Sequence, residues 1–197
     1  MKILACADIH GNRGAIERLK RLSKNVDLVL CAGDISEMEN NISQIMSDLD
    51  SFTAPVLLIH GNHEDEYGLM ELSTQYPNVT FIHKAAHHIG DYVFLGYGGG
   101  GFTKKDREFY EISEKFFRRE INGKKRIILM THAPPHNTIL DNIGGSHSGN
   151  ESIRSFIENF APHLVICGHI HETAGKKQKL GRSLVLNPGK DGVIVNI

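Results

Sequence analysis

Short apolar runs alternate with helix-spaced apolar positions along the first third of the chain. The runs KILACA (2–7), VDLVLCA (26–32) and PVLLIH (55–60) are rich in branched residues and bounded by turn residues, which predicts buried strands. Between them, Ile16, Leu19 and Leu22 mark one face of a helix over 13–24. Met38, Ile42, Ile45, Met46 and Leu49 predict a second helix, and residues 65–75 a third. This β-α-β-α-β rhythm implies an α/β fold with a parallel sheet.

The pattern changes after residue 79. The stretch VTFIHKAAHHIGDYVFLGYGG (79–99) holds strand-like pieces broken by turn residues, with no helix between them, and predicts antiparallel strands or hairpins. A charged helix over 104–120, a buried strand in KRIILMT (125–131) and a loop rich in Pro, Gly and His (132–149) follow. A helix over 151–160 leads into the strand LVIC (164–167), and SLVLNPG and GVIVNI predict two closing strands. No linker, repeat or low-complexity segment interrupts the chain, so one domain over 1–197 is expected.

Composition narrows the function classes. The chain is 40% apolar, enough for a substantial core, and its net charge of -1 offers no basic excess for gripping a nucleic-acid backbone. The basic stretches FFRRE, NGKKR and GKKQK are short and read as solvated surface. No apolar run approaches the ~20 residues of a membrane helix, and the N-terminus lacks the features of a signal peptide. Cys6, Cys31 and Cys167 each sit in an apolar run, which predicts reduced, buried thiols in a cytoplasmic protein. Histidine, with 12 copies, is the outlier, and it is the commonest metal ligand.

The histidines gain meaning from where the strands stop. The first run leads into Asp8-Ile9-His10, the second into Gly33-Asp34 and the third into Gly61-Asn62-His63. IILM leads into Thr131-His132, and LVIC into Gly168-His169-Ile170-His171. Each delivers Asp, Asn or His at the carboxyl end of a strand, the edge where α/β sheets gather ligands. In extended backbone His169 and His171 would point the same way, with Ile170 toward the core. Asp8, His10, Asp34, Asn62, His132, His169 and His171 make seven candidate ligands. That is too many for one tetrahedral ion and suits two divalent ions sharing a carboxylate. The mixed N/O set, without thiolate, suits Mn²⁺ first, and also iron, Zn²⁺, Ni²⁺ or Co²⁺. GYGGGG fits a dinucleotide-type Gly-x-Gly-x-x-Gly, but mid-chain its glycines are better explained by backbone running close to the metal site.

The motifs Asp8-Ile9-His10, Gly33-Asp34, Gly61-Asn62-His63-Glu64, Thr131-His132 and Gly168-His169-Ile170-His171 together resemble the calcineurin-like metallophosphoesterase superfamily. THAPPHNTILD, GHIHE and LNPG further resemble a branch of small predicted phosphoesterases found in prokaryotes. The resemblance implies an α/β fold of two mixed β-sheets packed as a sandwich with flanking helices. It implies one ion held by Asp8, His10, Asp34 and His171, and a second by Asp34, Asn62, His132 and His169. Phosphomonoester or phosphodiester hydrolysis would follow, by attack of a hydroxide lying between the ions. His63 would contact the phosphate or protonate the leaving group, with Glu64 either orienting its ring or serving as a helix N-terminal acid. His136 and His147, in the long loop, are expected to touch a small phosphorylated substrate. His60 is expected as buried support, and His83, His87, His88 and His163 as surface or packing residues. Asn187, before Pro188-Gly189, lies near the site or simply starts a turn. The rival functions are a non-catalytic, metal-stabilised interaction scaffold and a nuclease. The substrate, the ester class and the oligomeric state are open at this level.

Overall fold

The computed structural model describes residues 1–123 and 126–197. Strands β1 (Lys2–Cys6), β2 (Leu28–Ala32), β3 (Val56–Ile59) and β4 (Val79–Phe81) pair side by side and in parallel. Helices α1 (Arg13–Ser23), α2 (Ile42–Asp50) and α3 (Glu66–Ser73) make the crossovers. Each helix begins where the sequence supplies a stop for free N–H groups or a fresh apolar face. Asn12 Oδ1 accepts from Ala15 N at 2.9 Å, and Asp65 Oδ2 accepts from Gly68 N at 2.7 Å.

The second sheet follows in sequence. It contains β5 (Ala85–Ile89), β6 (Tyr92–Tyr97), β7 (Arg126–Thr131), β10 (Leu164–Ile166), β11 (Lys177–Leu180) and β12 (Ser183–Leu186), in the order β11-β12-β10-β7-β6-β5. The intervening β8 (Asn142–Ile143) and β9 (Ser146–His147) form a small hairpin of their own. Strand β13 (Val193–Asn196) returns to the first sheet, antiparallel to β1. On the outer side of the second sheet lie α4 (Arg107–Ile112), which continues through a π-helical turn (Ser113–Phe117) into α5 (Arg118–Glu120), and α6 (Glu151–Phe160).

Alternation of side chains along the strands builds the layers. Leu4, Cys6, Val29, Cys31 and Leu58 pack with Ile16, Leu19, Ile45 and Met46 of α1 and α2. The alternate residues Ile3, Ala5, Leu28, Leu30, Leu57 and Ile59 meet Phe94, Ile128, Met130, Leu164 and Ile166 across the interior. The far face of the second sheet packs on Phe109, Phe117 and Phe156. The result is the expected helix–sheet–sheet–helix sandwich with two mixed sheets. Truncating a fully buried leucine such as Leu58 to alanine would cost about 2–5 kcal/mol, so the strand ends are held rigidly.

Four details depart from the sequence pattern. β4 pairs in parallel with β3, because the chain passes through α3 before it, and within 79–99 the hairpin is β5–β6. β11 carries Lys177, Gln178 and Lys179 on an edge, where a strand needs no apolar alternation. Met38 is not helical: it is 68% exposed with φ +48°, and α2 starts only at Ile42. The expected KRIILMT strand is seen from Arg126, while Lys125, and Lys124 of the basic stretch NGKKR, lie outside the described residues. The three cysteines are free and buried. Among the described residues no helix is long and apolar enough to cross a membrane.

Candidate metal centre

Five strand ends meet at one edge of the sandwich. β1 runs out into Asp8 and His10, β2 into Asp34, β3 into Asn62, β7 into His132, and β10 into His169 and His171. Their polar atoms fall into two groups. In the first, His10 Nε2 and His171 Nε2 stand 3.1 Å apart, with Asp8 Oδ1 4.0 Å from His171 Nε2. In the second, Asn62 Oδ1 lies 3.0 Å from His132 Nε2 and 2.8 Å from His169 Nδ1, and Asp34 Oδ2 lies 3.2 Å from His132 Nε2. Asp34 Oδ2 is also 3.8 Å from His10 Nε2, so a single oxygen stands between the groups. All seven residues singled out as ligands come together here.

Local backbone makes the convergence possible. Asp8 (φ +56°), His10 (+45°), Asp34 (+50°) and His169 (+70°) all adopt the left-handed region, which non-glycine residues enter at a cost of ~1–3 kcal/mol each. This corrects the expectation of extended backbone at His169-Ile170-His171. His169 turns sharply, Ile170 is buried as expected, and His171 opens a short 3₁₀ turn (His171–Thr173). The two rings therefore reach different groups through a turn. Gly33 and Gly61 touch back to back: a Cβ on Gly33 would stand 2.6 Å from Gly61 N, and one on Gly61 would enter the Asp34 carboxylate.

Hydrogen bonds then fix which atoms remain available. His169 N donates to Asp8 Oδ1 (2.9 Å), leaving Asp8 Oδ2 buried and without a partner. His63 N donates to Asp34 Oδ1 (3.0 Å), leaving Oδ2 for the junction of the groups. His132 Nδ1 lies 2.8 Å from Ala32 O; a carbonyl only accepts, so His132 Nδ1 carries a proton. In the neutral ring the lone pair on Nε2 then faces two oxygens, Asn62 Oδ1 and Asp34 Oδ2. Such an arrangement calls for a positive charge at its centre.

The electrostatics say the same. Burial opposes charge on His132, yet the hydrogen bond and charge of Asp34, with the charge of Asp8, raise its pKa above the ordinary value. Burial would push Asp34 up, but the hydrogen bond and charge of His132 and the His63 N–H outweigh it and hold the carboxyl at about 2. Asp8 is raised, with burial outweighing the pull of His132. Burial, then the charge of His132, lowers His169 to about 4, which keeps it neutral near pH 7.

These observations test whether divalent ions fit. Four spacings of 2.8–3.2 Å, between His10 and His171 and among Asn62, His132, His169 and Asp34, match neighbouring ligands about one ion, while Asp8 Oδ1 stands farther off, at 4.0 Å from His171. Two imidazole nitrogens each ~2.1 Å from an ion and at right angles would be ~3.0 Å apart. Carboxylate, amide and neutral imidazole donors suit such ions, and the buried, unpartnered Asp8 Oδ2 is one more.

The other expected residues settle differently. His63 stands beside the first group, its ring 4.8 Å from that of His10 and its Nε2 4.0 Å from Asp34 Oδ2. Glu64 neither orients the His63 ring nor serves only as a helix acid. Its carboxylate, 7% exposed, accepts from Asp34 N (3.1 Å), Gly61 N (2.9 Å), Ser36 N (2.9 Å) and Ser36 Oγ (2.8 Å), lacing the Asp34 loop to the Asn62 loop. Glu37 escaped sequence reasoning. It sits 2.9 Å from His10 Nδ1 and 3.5 Å from His63 Nδ1, but in SEMEN it looks like any exposed acid. His136 and His147 gather on the fully buried Asp141, at 3.4 and 2.7 Å, and among the described residues no contact joins either ring to the seven. The glycine-rich loop does run close to the site. Gly98 and Gly99 leave room for the His60 ring, and Phe102 packs edge-on to His169 at 4.4 Å.

Solved structures share this fold. TT1561 of Thermus thermophilus superposes with a TM-score of 0.76 at 18% identity, covering 96% of this chain and 90% of that one. A dimetal phosphatase from Danio rerio gives 0.67 at 13% identity, covering 94% and 86%. The chain belongs to the calcineurin-like phosphoesterase family, whose model matches residues 1–173. It is also 30% identical over 206 aligned positions to the uncharacterized protein MJ1162 of Methanocaldococcus jannaschii, covering 99% of this chain and 91% of that one. Membership supports a metal-dependent phosphoesterase.

Proposed function

We propose that the chain hydrolyses a small phosphate ester at a dinuclear centre, with residues 1–197 acting as one domain. One observation carries the proposal: donor atoms of seven residues on five strand ends converge in two groups, with spacings of 2.8–3.2 Å among six of them, Asp8 Oδ1 4.0 Å from His171 Nε2, and Asp34 Oδ2 reaching between the groups, 3.2 Å from His132 Nε2 and 3.8 Å from His10 Nε2. In this proposal Asp8, His10, Asp34 and His171 hold one divalent cation and Asp34, Asn62, His132 and His169 the other, with manganese the first candidate. Such a pair supplies Lewis-acid polarisation of the phosphoryl oxygens and draws the pKa of water toward neutrality.

The chain's own groups do the rest. Asp34 keeps the groups in register, because its second oxygen is tied to His63 N. Glu64 holds the two loops that carry Asp34 and Asn62. His63 Nδ1 accepts from Met38 N at 3.3 Å, so in the neutral ring the proton rests on Nε2, the atom nearer Asp34. The neutral ring can donate a hydrogen bond from Nε2 to the departing oxygen, and the doubly protonated ring can pass that proton on and return to neutral imidazole. His136 and His147 act through Asp141, shaping the loop that follows His132.

Purified protein loaded with Mn²⁺, Ni²⁺, Co²⁺ or Zn²⁺ is expected to cleave p-nitrophenyl phosphate or its bis ester. Loaded protein that remains inert with every ion and both esters would overturn the proposal.

A further inference from the structure

Beside the first group of donors lies a cavity of about 250 Å³. At ~30 Å³ per water it has room for a small organic fragment. Asp8, His10 and His171 form its inner wall, and Asn12, Ala174 and Lys190 its outer wall. A phosphoryl group seated on the donors would have this hollow next to it, ready for the rest of the molecule.

The wall is selective in charge. Lys190 is its only Lys or Arg, and among the described residues no acidic group pairs with its ammonium. The sole acid in the wall, Asp8, is committed to the donor cluster through His169 N. Lys190 is exposed, but the backbone that leads into it is tightly placed. The preceding Asn187 is fully buried: its Nδ2 donates to Ile170 O (3.1 Å) and Thr173 Oγ1 (2.9 Å), and its Oδ1 accepts from Gly189 N (3.0 Å). Gly189 O accepts from Ala7 N at 3.1 Å, and Gly189 has φ +61° where a Cβ would stand 2.7 Å from Ala174 Cβ. Residues 187–189 are thus clamped between the end of β1 and the turn of His171, which holds Lys190 over the mouth of the cavity. Asn187 is therefore a latch near the site, beyond the simple turn residue that its Pro-Gly sequel suggests.

We propose that this cavity receives the non-scissile part of the substrate and that Lys190 selects for a second anionic group on it, a carboxylate or another phosphate. This rests on the phosphoesterase proposal above. A charge pair at the exposed cavity mouth should contribute about two- to fivefold in selectivity.

The test compares glycerol 3-phosphate, which has no second anion, with 3-phosphoglycerate and propane-1,3-diol bisphosphate, all with manganese-loaded protein. Wild type should favour the two doubly anionic esters in kcat/KM. Lys190→Gln should lower that preference about two- to fivefold, chiefly through KM, and Lys190→Arg should restore most of it. The two doubly anionic esters separate carboxylate from phosphate recognition. Calorimetric binding of the same three esters provides an independent readout. Protein that binds the doubly anionic esters selectively through Lys190 but cleaves neither them nor p-nitrophenyl phosphate or its bis ester, with any of the four ions, would sink the hydrolase proposal and leave the selectivity standing. A preference in turnover and binding that is absent, or unchanged by Lys190→Gln, would overturn the inference.

Discussion

Two histidine clusters flank the end of β3, and they differ in the charges and protons that surround them. At the sheet edge are the seven donors; just inside, His60, Glu66 and His83 also bring two imidazoles and a carboxylate within 4.8 Å. The inner cluster supplies its own cation, although His60 Nε2 and His83 Nε2 are buried without a hydrogen-bond partner. Lys84 Nζ lies 3.0 Å from Glu66 Oε2, so a fixed ammonium answers the carboxylate. Gly98 N donates to His83 Nδ1 at 2.7 Å, which puts the proton of the neutral ring on Nε2, facing Glu66 at 3.3 Å. His60 Nδ1 lies 2.8 Å from Gly61 O and so donates. At the edge, by contrast, no Lys or Arg pairs with Asp8 or Asp34 among the described residues. Four of the seven edge residues have left-handed backbone; none of the inner three does. Composition alone therefore does not make a metal centre. The distinguishing marks are the direction of lone pairs and the lack of a built-in cation.

The contrast can be broken most severely at Asp34. Asp34→Ala removes the oxygen common to both groups and should cost at least ~10³-fold in turnover, with metal content falling toward zero by elemental analysis. His63→Ala should separate chemistry from binding: turnover falls by about 10²–10⁴-fold while two ions per chain remain. A variant that lost its ions as well would make His63 a structural support.

Glu37→Ala probes the partner of a single ring. Without the carboxylate 2.9 Å from His10 Nδ1, metal affinity measured by titration should weaken about 10- to 100-fold. The inner cluster is the control. His83→Leu should leave turnover within about twofold, yet lose ~1–3 kcal/mol in urea denaturation, because Gly98 N loses its acceptor. Burial, followed by the charges of His60 and Lys84, lowers His83 from 6.5 to about 3. The unfolded chain thus binds a proton there before the native one does, so this contribution is complete above about pH 6.5 and is lost as pH falls toward 3. The stability profile of His83→Leu should accordingly be flatter across that range than that of wild type. An equal decline in both proteins would show that His83 is not the group responsible.

How far the site could be foreseen follows from what each residue depends on. Asp8, His10, Asp34, Asn62, His132, His169 and His171 each follow an apolar strand, and strand ends in an α/β sheet share an edge, so one-dimensional order implied their meeting. The layered fold was legible for the same reason, since buried strands and amphipathic helices leave periodic marks. Glu64 was visible but its task was not: it bonds to backbone up to 30 residues away, and no local pattern announces that. Glu37 lay hidden in an ordinary polar run, and Asn187 was visible as a residue near the site or a turn former, while its bond to the turn of His171 was not. Met38 misled because apolar spacing is indifferent to a left-handed φ.

The division of the seven residues between the sheets has a thermal consequence. Asp8, His10, Asp34 and Asn62 come from the first sheet, and His132, His169 and His171 from the second. Cations shared by both would act as a clasp across the seam of the sandwich, joining chain segments more than 160 residues apart. Stripping them with a chelator should therefore bring the melting temperature down, and returning manganese should restore it in proportion to the ion supplied.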